Sequence, residues 1–103
     1  MIFIEDTDMW RGEKLYMFIV RLLRRRGLDG ATALSGITGF GAGGQIHRSG
    51  LFGVSDERPS IIVAIDSEAK IMEGVQAVAP VVKEGLICTY DTDVFTPESD
   101  AST

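Results

Sequence analysis

The stretch Ile61-Ile62-Val63-Ala64-Ile65-Asp66 decides how this chain is read. It is apolar through five consecutive residues, rich in β-branched side chains, and too short for a buried helix, so it reads as a strand covered on both faces. Ser67 follows as a helix N-cap, with Glu68 in the first turn where negative charge complements the dipole. Ile71, Val75, Val78 and Val82 then form the apolar stripe of a helix. Pro80 ends or kinks that helix, and Gly85 stops the segment. From Leu86 to Val94 the pattern changes to period two. Leu86, Cys88, Tyr90 and Val94 share one face of a strand, and Thr89, Asp91 and Asp93 share the other.

Upstream, the same grammar repeats. Met1-Ile2-Phe3-Ile4 is a short β-favouring run, ended by the acceptor-rich turn Glu5-Asp6-Thr7-Asp8. A helix is predicted over about residues 12–26, because Leu15, Phe18, Ile19, Leu22 and Leu23 recur at helical spacing. Arg24, Arg25 and Arg26 fall at its C-terminal end, where the dipole favours cations, and Gly27 stands at the C′ position. Asp29-Gly30 then introduces a strand at Ala31-Thr32-Ala33-Leu34-Ser35. The order is strand, helix, strand, long connection, strand, helix, strand. That is the βαββαβ, or ferredoxin-like, arrangement of an α+β protein. It predicts a four-stranded antiparallel sheet with two helices on one face. Two helices leave the other face open, and Ile61–Ile65 points apolar residues both ways, so self-association is expected.

At 103 residues the chain is one domain, read as residues 1–95 with a flexible acidic tail at 96–103. A domain of this size buries only about 65% of its unfolded surface, so an oligomer interface would add useful stability. Net charge is −5, which argues against a nucleic-acid partner. The single cysteine, Cys88, excludes an intrachain disulfide and a cysteine metal cluster, and reads as a small buried hydrophobe. There is no signal-peptide pattern and no apolar run near the ~20 residues that cross a bilayer, so a cytoplasmic protein is expected.

The long connection carries the unusual chemistry. Gly36-Ile37-Thr38-Gly39-Phe40-Gly41-Ala42-Gly43-Gly44-Gln45-Ile46-His47 holds five glycines and the only histidine. Glycine lets backbone approach a ligand closely, and successive free N–H groups can form an anion-binding nest. The alternative is a loop that orders only against a neighbouring subunit or partner. Residues 39–44 satisfy G-x-G-x-x-G, but no helical pattern follows Gly44, so a dinucleotide fold is not implied. Phe40 either stacks on a base or anchors the loop to the core. His47 alone makes no metal site; it suits a hydrogen bond to the loop or to a ligand. Lys14 and Arg11 stand against the dipole of the first helix, which points to an anion nearby. Glu5, Asp6 and Asp8 read either as turn and capping residues or as carboxylates facing a neighbour's glycine loop. Trp10 is either an exposed contact or a staple onto the helix. No nucleophile–base pair is present, so no catalytic residues are expected.

This order of motifs resembles the small PII-like signalling proteins, in an uncharacterised branch related by architecture to the nitrogen-regulatory PII proteins. The matching residues are Ile2-Phe3-Ile4-Glu5, Gly12-Glu13-Lys14-Leu15-Tyr16, Gly27-Leu28-Asp29-Gly30-Ala31-Thr32, Gly36-Ile37-Thr38-Gly39-Phe40-Gly41, Ile46-His47, Ser55-Asp56-Glu57-Arg58-Pro59, Ile65-Asp66-Ser67 and Gly85-Leu86-Ile87. The resemblance covers residues 2–95. It implies a homotrimer whose clefts bind a small anionic effector, an adenine nucleotide, with no tightly bound cofactor. It also implies that residues 36–58 signal to a partner protein such as a membrane transporter or channel. On this reading Gly36, Gly39, Phe40, Gly41, His47, Lys14 and Glu5 are the ligand-binding residues. The family often carries an arginine where this chain has Ser35, and serine supplies no cation. Two other readings remain: a small phosphate-handling enzyme of acylphosphatase type, and a structural or interaction trimer without an effector.

Overall fold

In a computed structural model that describes residues 1–40 and 58–97, the helix α1 runs from Leu15 to Arg25. Leu15, Ile19 and Leu23, spaced four apart, fall on one stripe and are all buried. The helix stops because Gly27 takes a φ of +88°, which only glycine adopts freely. The Gly27 N–H then donates to the Arg24 carbonyl and the Leu28 N–H to the Leu23 carbonyl. That pair of bonds is a Schellman C-cap, and Leu28 completes it by burying beside Leu23.

The helix begins at Leu15, where its apolar stripe begins, and not near residue 12 as expected. Residues Met9–Trp10 (β2) and Glu13–Lys14 (β3) pair antiparallel as a small hairpin instead. Its tip, Arg11-Gly12, has φ of 49° and 86°, the positive values that a two-residue hairpin turn requires. The hairpin settles the place of Trp10. The indole is half-buried against the core, 6.0 Å from the Phe18 ring, with Arg11 and Lys83 at 5.3 and 5.5 Å from its centroid.

Strand β1 (Ile2–Glu5) is central in a four-stranded sheet with β4 (Thr32–Ser35), β5 (Pro59–Val63) and β6 (Leu86–Ile87). The order is β4-β5-β1-β6 and every pair is antiparallel. With α2 (Glu68–Val78), this is the expected α+β ferredoxin-like architecture. Ile2, Ile4 and Ile62 face the helices and pack with Ile19, Leu23 and Val78.

Two strand boundaries differ from the sequence pattern. β5 starts at Pro59, because Pro59 faces Glu5 and Ser60 faces Ile4 in the ladder, and it ends at Val63. It is also covered on one face only. Ile62 is fully buried towards the helices, while Ile61 and Val63 are half-buried on the opposite side. β6 ends at Ile87 instead of running to Val94, and its pairing closes one residue on, where Cys88 and Met1 exchange backbone bonds. Cys88, read as a core residue, is half-buried, and residues 89–97 are exposed without regular structure. The predicted tail at 96–103 lies mostly outside the described residues; Thr96 and Pro97 are exposed.

On the open side of the sheet, the register aligns Leu34, Ile61, Phe3 and Leu86 in one row across all four strands. Leu34 and Leu86 are 50% and 55% exposed. Among the described residues no helix covers this row.

At the far end, α2 is capped as its sequence implies. The Ser67 hydroxyl accepts the Lys70 N–H, and the helix stops at Val78, ahead of Pro80. Asp66 ties the helix start to the approach of β4, accepting the N–H of Asp29 at 2.9 Å and of Ser67 at 2.7 Å. The Asp29 N–H, then that of Ser67, holds the Asp66 carboxyl below its ordinary 3.8. A depressed folded value means the ionised carboxylate stabilises the fold. That contribution is complete above 3.8 and is lost as the pH falls through the folded value. Asp66→Ala should therefore lower the melting temperature at about pH 6, with the gap to wild type narrowing by about pH 3. Paired thermal melts at the two pH values check this.

Candidate functional site

The two ends of the long connection meet at one end of the sheet. β4 ends at Ser35, which faces Ser60, and β1 ends at Glu5, which faces Pro59. The Gly36 N–H donates to the Pro59 carbonyl at 2.7 Å, and the Asp6 N–H donates to the Arg58 carbonyl at 2.7 Å. Gly36 is thus pinned to Pro59 where the connection leaves, and Arg58 to Asp6 where it returns. The hairpin reaches the same place, because the Lys14 Nζ donates to the Asp6 carbonyl at 3.3 Å.

Five of the residues singled out from sequence come together here: Glu5, Lys14, Gly36, Gly39 and Phe40. Gly41 and His47 lie outside the described residues. Gly36 is needed for space, since a Cβ there would stand 2.5 Å from the Pro59 Cγ. Gly39 is looser, with the same ring atom at 3.5 Å. Phe40 does not anchor the connection to the core, because its ring is 78% exposed. Ile37 is 90% exposed. Glu5 and Asp8 make a turn, with the Asp8 carboxylate accepting the Glu5 N–H at 3.0 Å. Ser35, where the resembling family often has arginine, sits in β4 and offers only a hydroxyl.

Lys14 stands at the N-terminal end of α1, whose first turn holds no acidic residue. Its ammonium is exposed, and among the described residues its one hydrogen bond is to a carbonyl, which does not neutralise the charge. Arg58, exposed at the foot of β5, adds a second cation. Sequence reasoning passed over Arg58 because it lies in a stretch without periodicity. Its one signal was a cation directly before the proline that opens a strand. Two exposed cations beside close-approach glycines and an exposed aromatic ring can take an anion carrying a planar group. Among the described residues no cluster of three His, Cys, Asp or Glu side chains could hold a metal. Among them, too, no helix is long and apolar enough to cross a membrane.

The chain is 33% identical over 99 residues to a UPF0166 protein of Methanocaldococcus jannaschii, covering 95% of this chain and 91% of that one. It is 29% identical over 94 residues to a UPF0166 protein of Aquifex aeolicus, covering 91% and 89%. Residues 1–94 match the DUF190 family, described as "Uncharacterized ACR". With that match spanning every strand of the sheet and both helices, the chain belongs to the DUF190 family.

Proposed function

We propose that this protein is a non-catalytic regulatory module of the PII-like kind. Three copies associate through their open sheet faces. A small anionic effector, an adenine nucleotide, binds between subunits at the end of the sheet. There Lys14 and Arg58 meet the phosphates, the backbone at Gly36, Gly39 and Gly41 approaches them closely, and Phe40 and His47 contact the base or sugar. Binding sets the conformation of residues 36–58, which dock on a partner protein such as a membrane transporter or channel. The effector shifts that conformation only by binding its two states with different affinity.

The observation that carries this reading is the junction itself. Both ends of the 36–58 connection are fastened to the sheet beside an exposed lysine, by Gly36 to Pro59 and Asp6 to Arg58. A ligand bound at that junction touches both ends at once, which is the geometry a conformational relay needs. The uncovered apolar row Leu34–Ile61–Phe3–Leu86 supports the assembly.

Thermal unfolding against ATP, ADP, AMP, cyclic dinucleotides and NAD, with and without magnesium, tests the proposal. A ligand at 100 times its dissociation constant adds about 2.7 kcal/mol per site. One adenine nucleotide should raise the transition selectively, and Lys14→Ala and Gly36→Ala should each remove most of the shift. If no compound moves the transition, or both variants keep the full shift, the effector site is not here. Release of phosphate from acetyl phosphate would favour the enzyme reading instead.

A further inference from the structure

The C-terminal segment is written as a strand, but among the described residues its backbone pairing goes no further than Cys88, which exchanges bonds with Met1. Residues 86–94 alternate in sequence, yet β6 stops at Ile87, and Thr89–Pro97 are exposed with no regular structure. The Tyr90 hydroxyl donates to the Met1 Sδ, and Tyr90, Thr92 and Val94 border a cavity with Ile62 and Ile71 of the same chain, yet Tyr90, Val94 and Phe95 stay 65%, 61% and 88% exposed, so these contacts leave much of their apolar surface open. At the other side of the sheet, β4 is the end strand and all four of its residues are exposed. Thr32-Ala33-Leu34-Ser35 contains neither proline nor a charge, the usual devices that keep an edge from pairing.

We propose that residues 91–95 of one copy add as a further strand to the β4 edge of a second copy. Backbone hydrogen bonds supply the attraction, as in other strand-addition contacts. In an extended arm Tyr90, Thr92 and Val94 share one side, which lies over Leu34 and continues the apolar row. The charges match as well. Residues 91–103 contain Asp91, Asp93, Glu98 and Asp100 and no lysine or arginine. Arg24, Arg25 and Arg26 are exposed at the end of α1, and Arg24 lines a cavity of about 420 Å³ with Gly30 and Ala31, just ahead of β4. This inference rests on the self-association proposed above and says which segments carry it.

The test is cross-linking in the full chain with Cys88→Ser as background. One copy carries Ala33→Cys on β4. A co-expressed, differently tagged copy carries Asp91→Cys, Thr92→Cys or Asp93→Cys, and the mixture is mildly oxidised. A mixed disulfide dimer is expected from at least one of the three arm positions. A Thr92→Pro variant, which removes an N–H donor from an irregular exposed segment, should weaken assembly about tenfold without lowering the stability of the subunit. Light scattering sizes every sample. A wild type that is monomeric overturns both the arm and the trimer. An oligomeric wild type with no mixed disulfide and an unaffected Thr92→Pro overturns the arm alone. Cross-linking of Ala33→Cys only to itself also overturns it, in favour of β4 pairing with β4.

Discussion

Replacing Ile62 by alanine should cost about 2–5 kcal/mol, a large fraction of the ~5–15 kcal/mol that holds a domain of this size. Ile62 is fully buried, sits in the middle of β5 between β4 and β1, and packs with Ile19 and Val78. Removing three carbons there leaves a cavity that a paired strand cannot close by moving. The adjacent residue provides the control. Ile61 points to the open face, half-buried between Phe3 and Leu34. At low protein concentration, Ile61→Ala should cost well under half as much. If open faces pack together in the assembly, its cost should grow as protein concentration rises, while that of Ile62→Ala changes little. Urea titrations of both variants at several protein concentrations separate the two. Equal costs at every concentration would mean that both faces of β5 are already covered in the single subunit.

The contrast between these neighbours shows what the sequence could and could not convey. Apolar residues at helical spacing reported α1 and α2 correctly, because a helix satisfies its own backbone and its stripe declares the buried side. The run at 61–65 reported a strand, but not that one of its faces lacks a cover, since coverage depends on elements elsewhere in the chain. The same limit explains β6. Period-two alternation from Leu86 to Val94 describes a segment able to pair; where pairing stops is set by the first strand, whose last bonds to it join Met1 and Cys88. The hairpin at 9–14 was hidden for a different reason. Its tip holds Arg11 at a φ of 49°, where asparagine or glycine would have announced the turn. At the junction, glycines and Lys14 were legible by residue type. Arg58 was not, since only the bond from Asp6 brings it to the same place.

Gly85 is where β1 and Val82, in the segment after α2, leave no room for a side chain, and Gly85→Ala should lower stability by about 1–3 kcal/mol. A Cβ there would run into the Phe3 carbonyl oxygen and come within 2.7 Å of the Val82 Cγ1 and 3.2 Å of the Ile4 Cγ2. The carbonyl belongs to β1, flanked by β5 on one side and β6 on the other, so it cannot step aside without disturbing both ladders. The chain must move at Gly85 instead, immediately before Leu86 pairs with Phe3. Gly30 shows the opposite case, with nothing within 4 Å of the added atom. Gly30→Ala restricts the unfolded chain without a clash, and should be neutral or stabilising by up to about 1 kcal/mol. Opposite signs from the same chemical change isolate the steric effect, and denaturant midpoints of the two variants read it directly. If Gly85→Ala matches Gly30→Ala, the close approach of Gly85 to β1 is wrong. If the signs differ as expected, the loss also bears on assembly. A displaced Leu86 breaks the apolar row Leu34–Ile61–Phe3–Leu86 at its outer end and shifts the point from which residues 91–95 leave the sheet.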